Sequence, residues 1–184
     1  MSGTSGDGVD AALLDTDGEN KIGFLGGLTL PYDEDLRGRL LETSQHDVPL
    51  SEVLRVEKEV SEHHVEAVRR LLAEHPKLAK KVELVGFHGH TVRHSASEGI
   101  TMQIGNPWIL SRDLKLPVVS DFRRCDIAGG GQGAPLVGMF HRALFSSEPR
   151  PTVVLNLGGV ANVTWLGEND EIIAGDTGPG CGLI

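Results

Sequence analysis

Val153-Val154-Leu155-Asn156-Leu157-Gly158-Gly159-Val160-Ala161-Asn162-Val163-Thr164-Trp165-Leu166 is the stretch whose reading decides the fold. Two runs rich in Val and Leu flank Gly158-Gly159, a pattern that predicts a β-hairpin with a tight turn at positive φ. Glycines at such a turn leave the backbone N–H groups uncovered, so a phosphate can approach them closely. Further on lies Gly175-Asp176-Thr177-Gly178-Pro179-Gly180, read as a carboxylate held at a strand end by a stiff Gly/Pro turn. A bare backbone for phosphate beside a fixed carboxylate suggests phosphoryl transfer. An ordinary hairpin followed by an ordinary turn is the plainer reading of the same residues, because short glycine motifs are weak evidence alone.

The opening residues supply another such turn, Ser2-Gly3-Thr4-Ser5-Gly6-Asp7-Gly8, followed by strands over 9–16 and 22–30 with a turn at Asp17-Gly18-Glu19-Asn20. A short helix is predicted over 33–42. Ser51 then stands as N-cap of a long helix reaching Glu74, with Val53, Val56, Val60, His64, Ala67 and Leu71 repeating along one face and Pro76 ending it. His63 and His64 read as packing or surface residues.

The short apolar run 82–87 predicts a buried strand that delivers the chain into His88-Gly89-His90-Thr91-Val92-Arg93-His94. Three histidines at this spacing raise a zinc site, and with it the alternative of a metal-dependent hydrolase using His88, His90 and His94. The immediate motif lacks an acid, however, and Gly89 and Thr91 suit a ligand-facing loop, so polar contacts to a substrate are the favoured reading. Pro107 fits the first turn of a helix. A strand over 117–120 ends in the charged cluster Asp121-Phe122-Arg123-Arg124-Cys125-Asp126, and a glycine-rich loop over 128–136 precedes an apolar helix through Phe145. Polar, glycine-rich segments recurring at strand ends predict an α/β layered domain with its ligand site along one edge of the sheet.

The 184 residues can bury a sizeable core, and 39% apolar with 23% charged residues describe a globular protein. A net charge of −9 argues against nonspecific nucleic-acid binding while leaving room for a local anion nest. Cys125 and Cys181 have neither metal-site spacing nor the look of a disulfide scaffold. With no secretory signal and no apolar run long enough for a membrane, the expectation is a cytoplasmic protein without nucleic-acid or membrane partners, and a homodimer is compatible with the sequence. Both ends read as cuts: no strand precedes the first turn, and the chain stops just after the carboxylate turn, as one lobe of a larger enzyme would.

Seven motifs occur together and in order. They are Met-Ser-Gly-Thr-Ser-x-Asp-Gly-Val-Asp at 1–10, His-Gly-x-Thr at 88–91, Gln-Ile-Gly-Asn at 103–106, Asp-Phe-Arg-Arg-x-Asp-Ile-Ala at 121–128, Gly-Gly-Gln-Gly-Ala-Pro-Leu at 130–136, Asn-x-Gly-Gly at 156–159 and Asp-Thr-Gly-Pro-Gly at 176–180. As a set covering nearly the whole chain, they resemble the anhydro-N-acetylmuramic acid kinase family. The resemblance implies an RNase H-like lobe of the actin-like ATPase fold, shared with hexokinase and Hsp70, in which a mixed β-sheet is flanked by helices. It implies that 1–184 is the N-terminal lobe, with the second lobe starting at about 170–184 and the C-terminal lobe lying outside the chain.

The activity implied is an ATP-dependent, Mg²⁺-assisted reaction of cell-wall amino-sugar recycling. It cleaves the ring of 1,6-anhydro-N-acetylmuramic acid and phosphorylates O6. By resemblance, Gly3, Thr4, Ser5, Gly6, Asp7, Gly8, Val9 and Asp10 match the nucleotide-phosphate loop, and Asn156, Gly158 and Gly159 match a second phosphate hairpin. Asp176 matches the general base on the attacking water, and Thr91, Asn106, Arg123, Arg124 and Asp126 match positions around the sugar. Three residues depart from the family pattern: Gly6 for Leu, expected to loosen the phosphate loop; His90 for Gln; and Cys181 for Asn. With no strand before it, the first turn is expected to be hinged on one side only. A non-catalytic sugar-binding lobe is the further alternative, and the isolated chain is expected to show no turnover.

Overall fold

The computed structural model describes residues 1–158 and 160–180. The chain is mixed α/β and divides into two compact units, Met1–Leu13 with Leu25–Gly131, and Leu14–Phe24 with the described residues from Gln132 onward. Strands β1 (Gly8–Thr16) and β2 (Ile22–Pro31) pair as a hairpin. Its turn is set by Asp17, whose Oδ1 accepts the backbone N–H groups of Glu19, Asn20 and Lys21, each at 2.9 Å. These bonds hold the Asp17 carboxyl below the usual carboxylate range.

In the first unit, α1 (Glu34–Gln45) starts at Asp33, whose carboxylate accepts the Leu36 N–H at 2.8 Å. Helix α2 (Leu50–Glu74) is longer at its start than the sequence suggested. Ser51 lies inside it; the N-cap is Pro49, which offers no side-chain acceptor, so backbone carbonyls and the flanking chain set the boundary. The expected stripe is the one that packs. Val56, Val60, His64, Ala67 and Leu71 are buried, joined by Ser61 and Val65, while Val53 is partly covered. Lys58–Glu62 and Glu66–Arg70 pairs mark the solvent side. As expected, α2 stops at Glu74, with His75 ahead of Pro76 out of the helical region, and Pro76 then takes the first turn of a short α3 (Pro76–Ala79), where its missing N–H costs nothing.

Strand β3 (Val85–Phe87) is only three residues long, and of the run from Val82 only Phe87 is buried, Leu84 being exposed. It pairs in parallel with β6 (Val118–Ser120). Between them the chain makes an antiparallel hairpin, β4 (His90–Ser95) with β5 (Ile100–Ile104), and then α4 (Pro107–Leu114), with Pro107 in its first turn and Asn106 as N-cap. The histidine segment expected as a loop is therefore mostly strand, with a bulge between Thr91 and Arg93. A short α5 (Arg124–Ala128) closes this unit.

Its main core gathers Val9, Leu30, Tyr32, Leu36, Leu40, Val56, Val60, Ala67, Val92 and Ile104, and a smaller cluster joins Val65, Phe87 and Leu110. Each fully buried aliphatic side chain there is worth roughly 1.5–3 kcal/mol relative to exposure. Arg39 of α1 clamps α2, its Nε donating to Glu52 at 2.8 Å and its other nitrogens gripping both Glu59 oxygens at 2.8 and 2.9 Å.

The second unit holds α6 (Gly138–Leu144) and the antiparallel sheet β7 (Thr152–Leu157), β8 (Val160–Leu166) and β9 (Ile172–Pro179). The expected hairpin about Gly158-Gly159 is present. Gly158 does not itself take positive φ, and Gly159 lies outside the described residues. One sheet face meets α6, where His141 Nδ1 lies 2.9 Å from the buried Thr164 hydroxyl and Gly138 packs on Ile172. On the opposite face Val153, Leu155, Leu157 and Ile173 stand exposed. Parallel and antiparallel pairing both occur, as a mixed sheet requires, but distributed over four separate sheets among the described residues.

Candidate functional site

The parallel pair β3–β6 places two chain exits side by side, with His88 leaving one strand and Asp121 the other. Crevices outside the carboxyl ends of parallel strands are where α/β folds bind ligands. Here a cleft of about 180 Å³ is lined by Phe87, His88, Gln103, Gly105, Ser120, Asp121 and Arg124. A Cβ on Gly105 would strike the Phe87 ring, so glycine is what lets the chain pass this wall. A larger hollow, about 300 Å³, lies beside Arg39 and Glu52, whose charged groups are already paired.

The histidine tautomer at the cleft follows from its partners. Arg123 Nε–H donates to His88 Nε2 at 3.0 Å, so the ring proton sits on Nδ1 and points to the Gly89 carbonyl at 3.1 Å. Burial, with the Arg123 charge adding to it, keeps His88 below the ordinary imidazole range, and burial likewise lowers Arg123.

Among the residues expected around the sugar, Arg124 lines the cleft, its Nε 3.6 Å from Asp121, and Arg123 braces His88. The Thr91 hydroxyl accepts from Gln103, a cleft residue, at 3.3 Å. Asn106 is the cap of a helix. Its side-chain oxygen caps α4 at Trp108 N, 3.0 Å away, while its own N–H donates to Ser61. Asp126 sits on α5 with its carboxylate against Gly131, where no Cβ would fit. Gln103 and Asp121 were present in the quoted motifs without being singled out, and His88 was weighed only as a metal ligand. The signal available was their position immediately at strand ends.

The expected phosphate loop is split by the structure. Gly3, Thr4, Ser5 and Gly6 form the turn, closed by Gly6 N–H to the Gly3 carbonyl at 3.0 Å, with Gly3, Thr4 and Ser5 exposed. Gly6 has φ +65°, a conformation glycine adopts without strain. Asp7 is exposed, 3.8 Å from Arg37. Gly8, Val9 and Asp10 belong to β1: Gly8 presses on the Leu30 carbonyl, the Val9 side chain is in the core, and Asp10 accepts from the Thr29 hydroxyl at 2.6 Å. The turn is not hinged on one side only, because Ser2 N–H donates to the Gly89 carbonyl at 3.1 Å and Ser2 forms a parallel bridge with His90.

The metal alternative fails on the same contacts. His90 is fully buried between Ser2 Oγ at 2.9 Å and Ser44 Oγ at 3.3 Å, His88 is held by Arg123, and His94, past the bulge, meets Thr101 at 3.0 Å. Among the described residues no group of three His, Cys, Asp or Glu side chains is placed to hold a metal ion.

In the second unit, strand register lines up Asn156 of β7, Asn162 of β8 and Asp176 of β9. Asp176 is not in a turn at a strand end, as the Gly/Pro pattern suggested; β9 runs on through Pro179, and a bulge at Ala161/Asn162 adjusts the pairing beside it. Its carboxylate is exposed. The amide nitrogen of Asn156 reaches toward Gly158, where an added Cβ would stand 3.6 Å from it. Asn162 was missed, although it and Asn156 flank Gly159 symmetrically, the spacing that pairs residues across a hairpin. Cys181 lies outside the described residues.

Comparison with known proteins places this α/β chain in a single family. The family model "Anhydro-N-acetylmuramic acid kinase" matches residues 1–184, and the chain belongs to that family. It is 45% identical over 184 residues to the anhydro-N-acetylmuramic acid kinase of Paramagnetospirillum magneticum, with 100% of this chain and 51% of the relative covered. It is 48% identical over 194 residues to that of Gluconobacter oxydans, covering 100% of this chain and 53% of the relative. The chain spans about half the length of the curated relatives it matches. No helix among the described residues is long and apolar enough to cross a membrane.

Proposed function

We propose that this chain carries phosphate-binding turns, sugar contacts and the general base of an ATP-dependent 1,6-anhydro-N-acetylmuramic acid kinase. The reading rests on one observation above the rest: the family match runs through all of residues 1–184, at close to half identity with proteins of that name. The finer fold belongs to the same proposal, an N-terminal RNase H-like lobe of the actin-like ATPase type, supported by a cleft at the ends of β3 and β6.

In this reaction Asp176 takes a proton from water, whose oxygen attacks the anomeric carbon. The bond from that carbon to O6 breaks, and O6 receives the γ-phosphoryl group of ATP, leaving ADP. Water is a weak nucleophile, and a fixed carboxylate that accepts its proton is worth about 10²–10⁴ in rate. The exposed residues Gly3, Thr4 and Ser5 of the first turn and the backbone at Gly158 suit phosphate oxygens, while Arg124 in the cleft, with Arg123 bracing His88, suits an acidic sugar. Asp7, exposed beside the first turn, fits the sparse donor set of a Mg²⁺ carried by phosphates, which would neutralise their charge.

The test is coupled ATP turnover with the anhydro sugar, using a polypeptide of the relatives' length that contains this sequence. Asp176→Asn is expected to keep its circular dichroism and ATP binding and lose about 10²–10⁴ in turnover. Near-normal turnover would remove Asp176 as the base. Residues 1–184 alone are expected to give no sugar-dependent turnover, and robust turnover by them would refute the two-lobed site.

A further inference from the structure

We propose that His90 is a positioning residue that ties the Gly3–Gly6 turn to the sugar-side strand β4, so that phosphate and sugar contacts are set by one buried imidazole. The inference rests on the kinase reading for its functional half and on geometry for the rest.

Two contacts join the two segments at one point: the parallel Ser2–His90 bridge, with Ser2 N–H donating to the Gly89 carbonyl at 3.1 Å, and Ser2 Oγ to His90 Nδ1 at 2.9 Å. Gly89 makes the approach possible. Its φ is +74°, and a Cβ there would collide with the Ile104 carbonyl. The proton positions follow by elimination. Ser44 Oγ spends its hydrogen on the Leu40 carbonyl at 3.0 Å, so toward His90 it can only accept. His90 Nε2 therefore carries the proton and donates to Ser44, while Nδ1 accepts from the Ser2 hydroxyl. The imidazole is neutral, fully buried and polarised in one sense, from α1 through β4 to the residue before the turn. The Tyr32 hydroxyl, buried beside Ser2 without a hydrogen bond of ordinary geometry, closes the other side. Thr91, next along β4, reaches Gln103 in the cleft wall, which completes the connection between turn and cleft.

A neutral side chain that accepts at one end and donates at the other is what the site requires, and glutamine supplies both. The test compares His90→Leu, His90→Gln and Ser2→Ala with the parent by amide hydrogen exchange, reading Gly6 and Asp10 near the turn against Val60 in α2. His90→Leu and Ser2→Ala are expected to accelerate exchange near the turn about tenfold, the worth of one hydrogen bond, with Val60 changed much less. His90→Gln should restore protection. Equal acceleration at Val60, no acceleration in a folded His90→Leu protein, or failure of glutamine to rescue would each overturn the assignment. In the polypeptide of the relatives' length, His90→Leu should raise KM for ATP several-fold with kcat little changed; a fall in kcat alone would also overturn it. If the parent binds no ATP, the kinase reading fails, while the exchange data still decide whether His90 orders the turn.

Discussion

Lowering the pH from 7 to 5 should destabilise this protein steeply, and two buried histidines set the magnitude. His64 donates Nδ1–H to the Val60 carbonyl at 2.7 Å within α2, while its Nε2 is buried without a partner and its ring meets Phe87 edge-on at 5.0 Å. Protonation would place an N–H where nothing accepts it. Burial therefore pushes His64 down to about 3 and His90 down to about 4. In the unfolded chain both titrate near the ordinary value of about 6.5. Because the folded values are depressed, this stability is complete above about pH 6.5 and is lost as pH falls toward the folded values. At pH 5 the unfolded state holds nearly one extra proton per site, a cost of about 2 kcal/mol each relative to pH 7. The pair thus removes about 4 kcal/mol, a large share of the 5–15 kcal/mol typical of a domain. His88 and His141, also lowered, act in the same direction. Depressed carboxylates such as Asp17 and Asp113 lose their contribution mainly below pH 5, so the window belongs to imidazole. Urea titrations followed at 222 nm, where α1 and α2 dominate, measure the effect. His64→Leu should cut the pH dependence by nearly half. A change below about 1 kcal/mol between pH 7 and 5, or an unchanged slope in His64→Leu, would refute the reasoning.

Two further substitutions probe other levels of the structure. Asp33→Ala removes the acceptor for Leu36 N–H at the start of α1 and should cost about 0.5–2 kcal/mol in urea denaturation, with no change in m. Gly158→Val should fold, since its Cβ would stand at an ordinary 3.4 Å from the Val160 carbonyl. In the polypeptide of the relatives' length it should weaken ATP binding more than sugar binding in calorimetry, and unchanged ATP affinity would show that the hairpin does not hold phosphate.

Periodicity carried much of the architecture. The α2 stripe from Val56 to Leu71 and the hairpin about Gly158 were legible because each buries one face of a regular repeat. The β4–β5 hairpin was not, since His90-Thr91-Val92-Arg93-His94 alternates poorly across its bulge and reads as a ligand loop. The start of α2 was misplaced because Ser51 has good cap chemistry whereas Pro49, the actual boundary, has none. At the site, motif chemistry identified residue types but not partners. Asn106 turned out to be a cap, Val9 a core residue, and His90 a bridge to serines 88 and 46 positions away, separations that no local pattern encodes.

The Ser2–His90 contact also sets a schedule for the nascent chain. Its partners are 88 positions apart, so the residues that shape the first turn leave the ribosome long before His90 can hold Ser2. At synthesis rates of about 5–20 residues per second the wait is roughly 4–18 s, far longer than α1 or the β1–β2 hairpin needs to form. The turn is therefore made well before it can close against β4, and its order depends on a strand encoded 88 positions later.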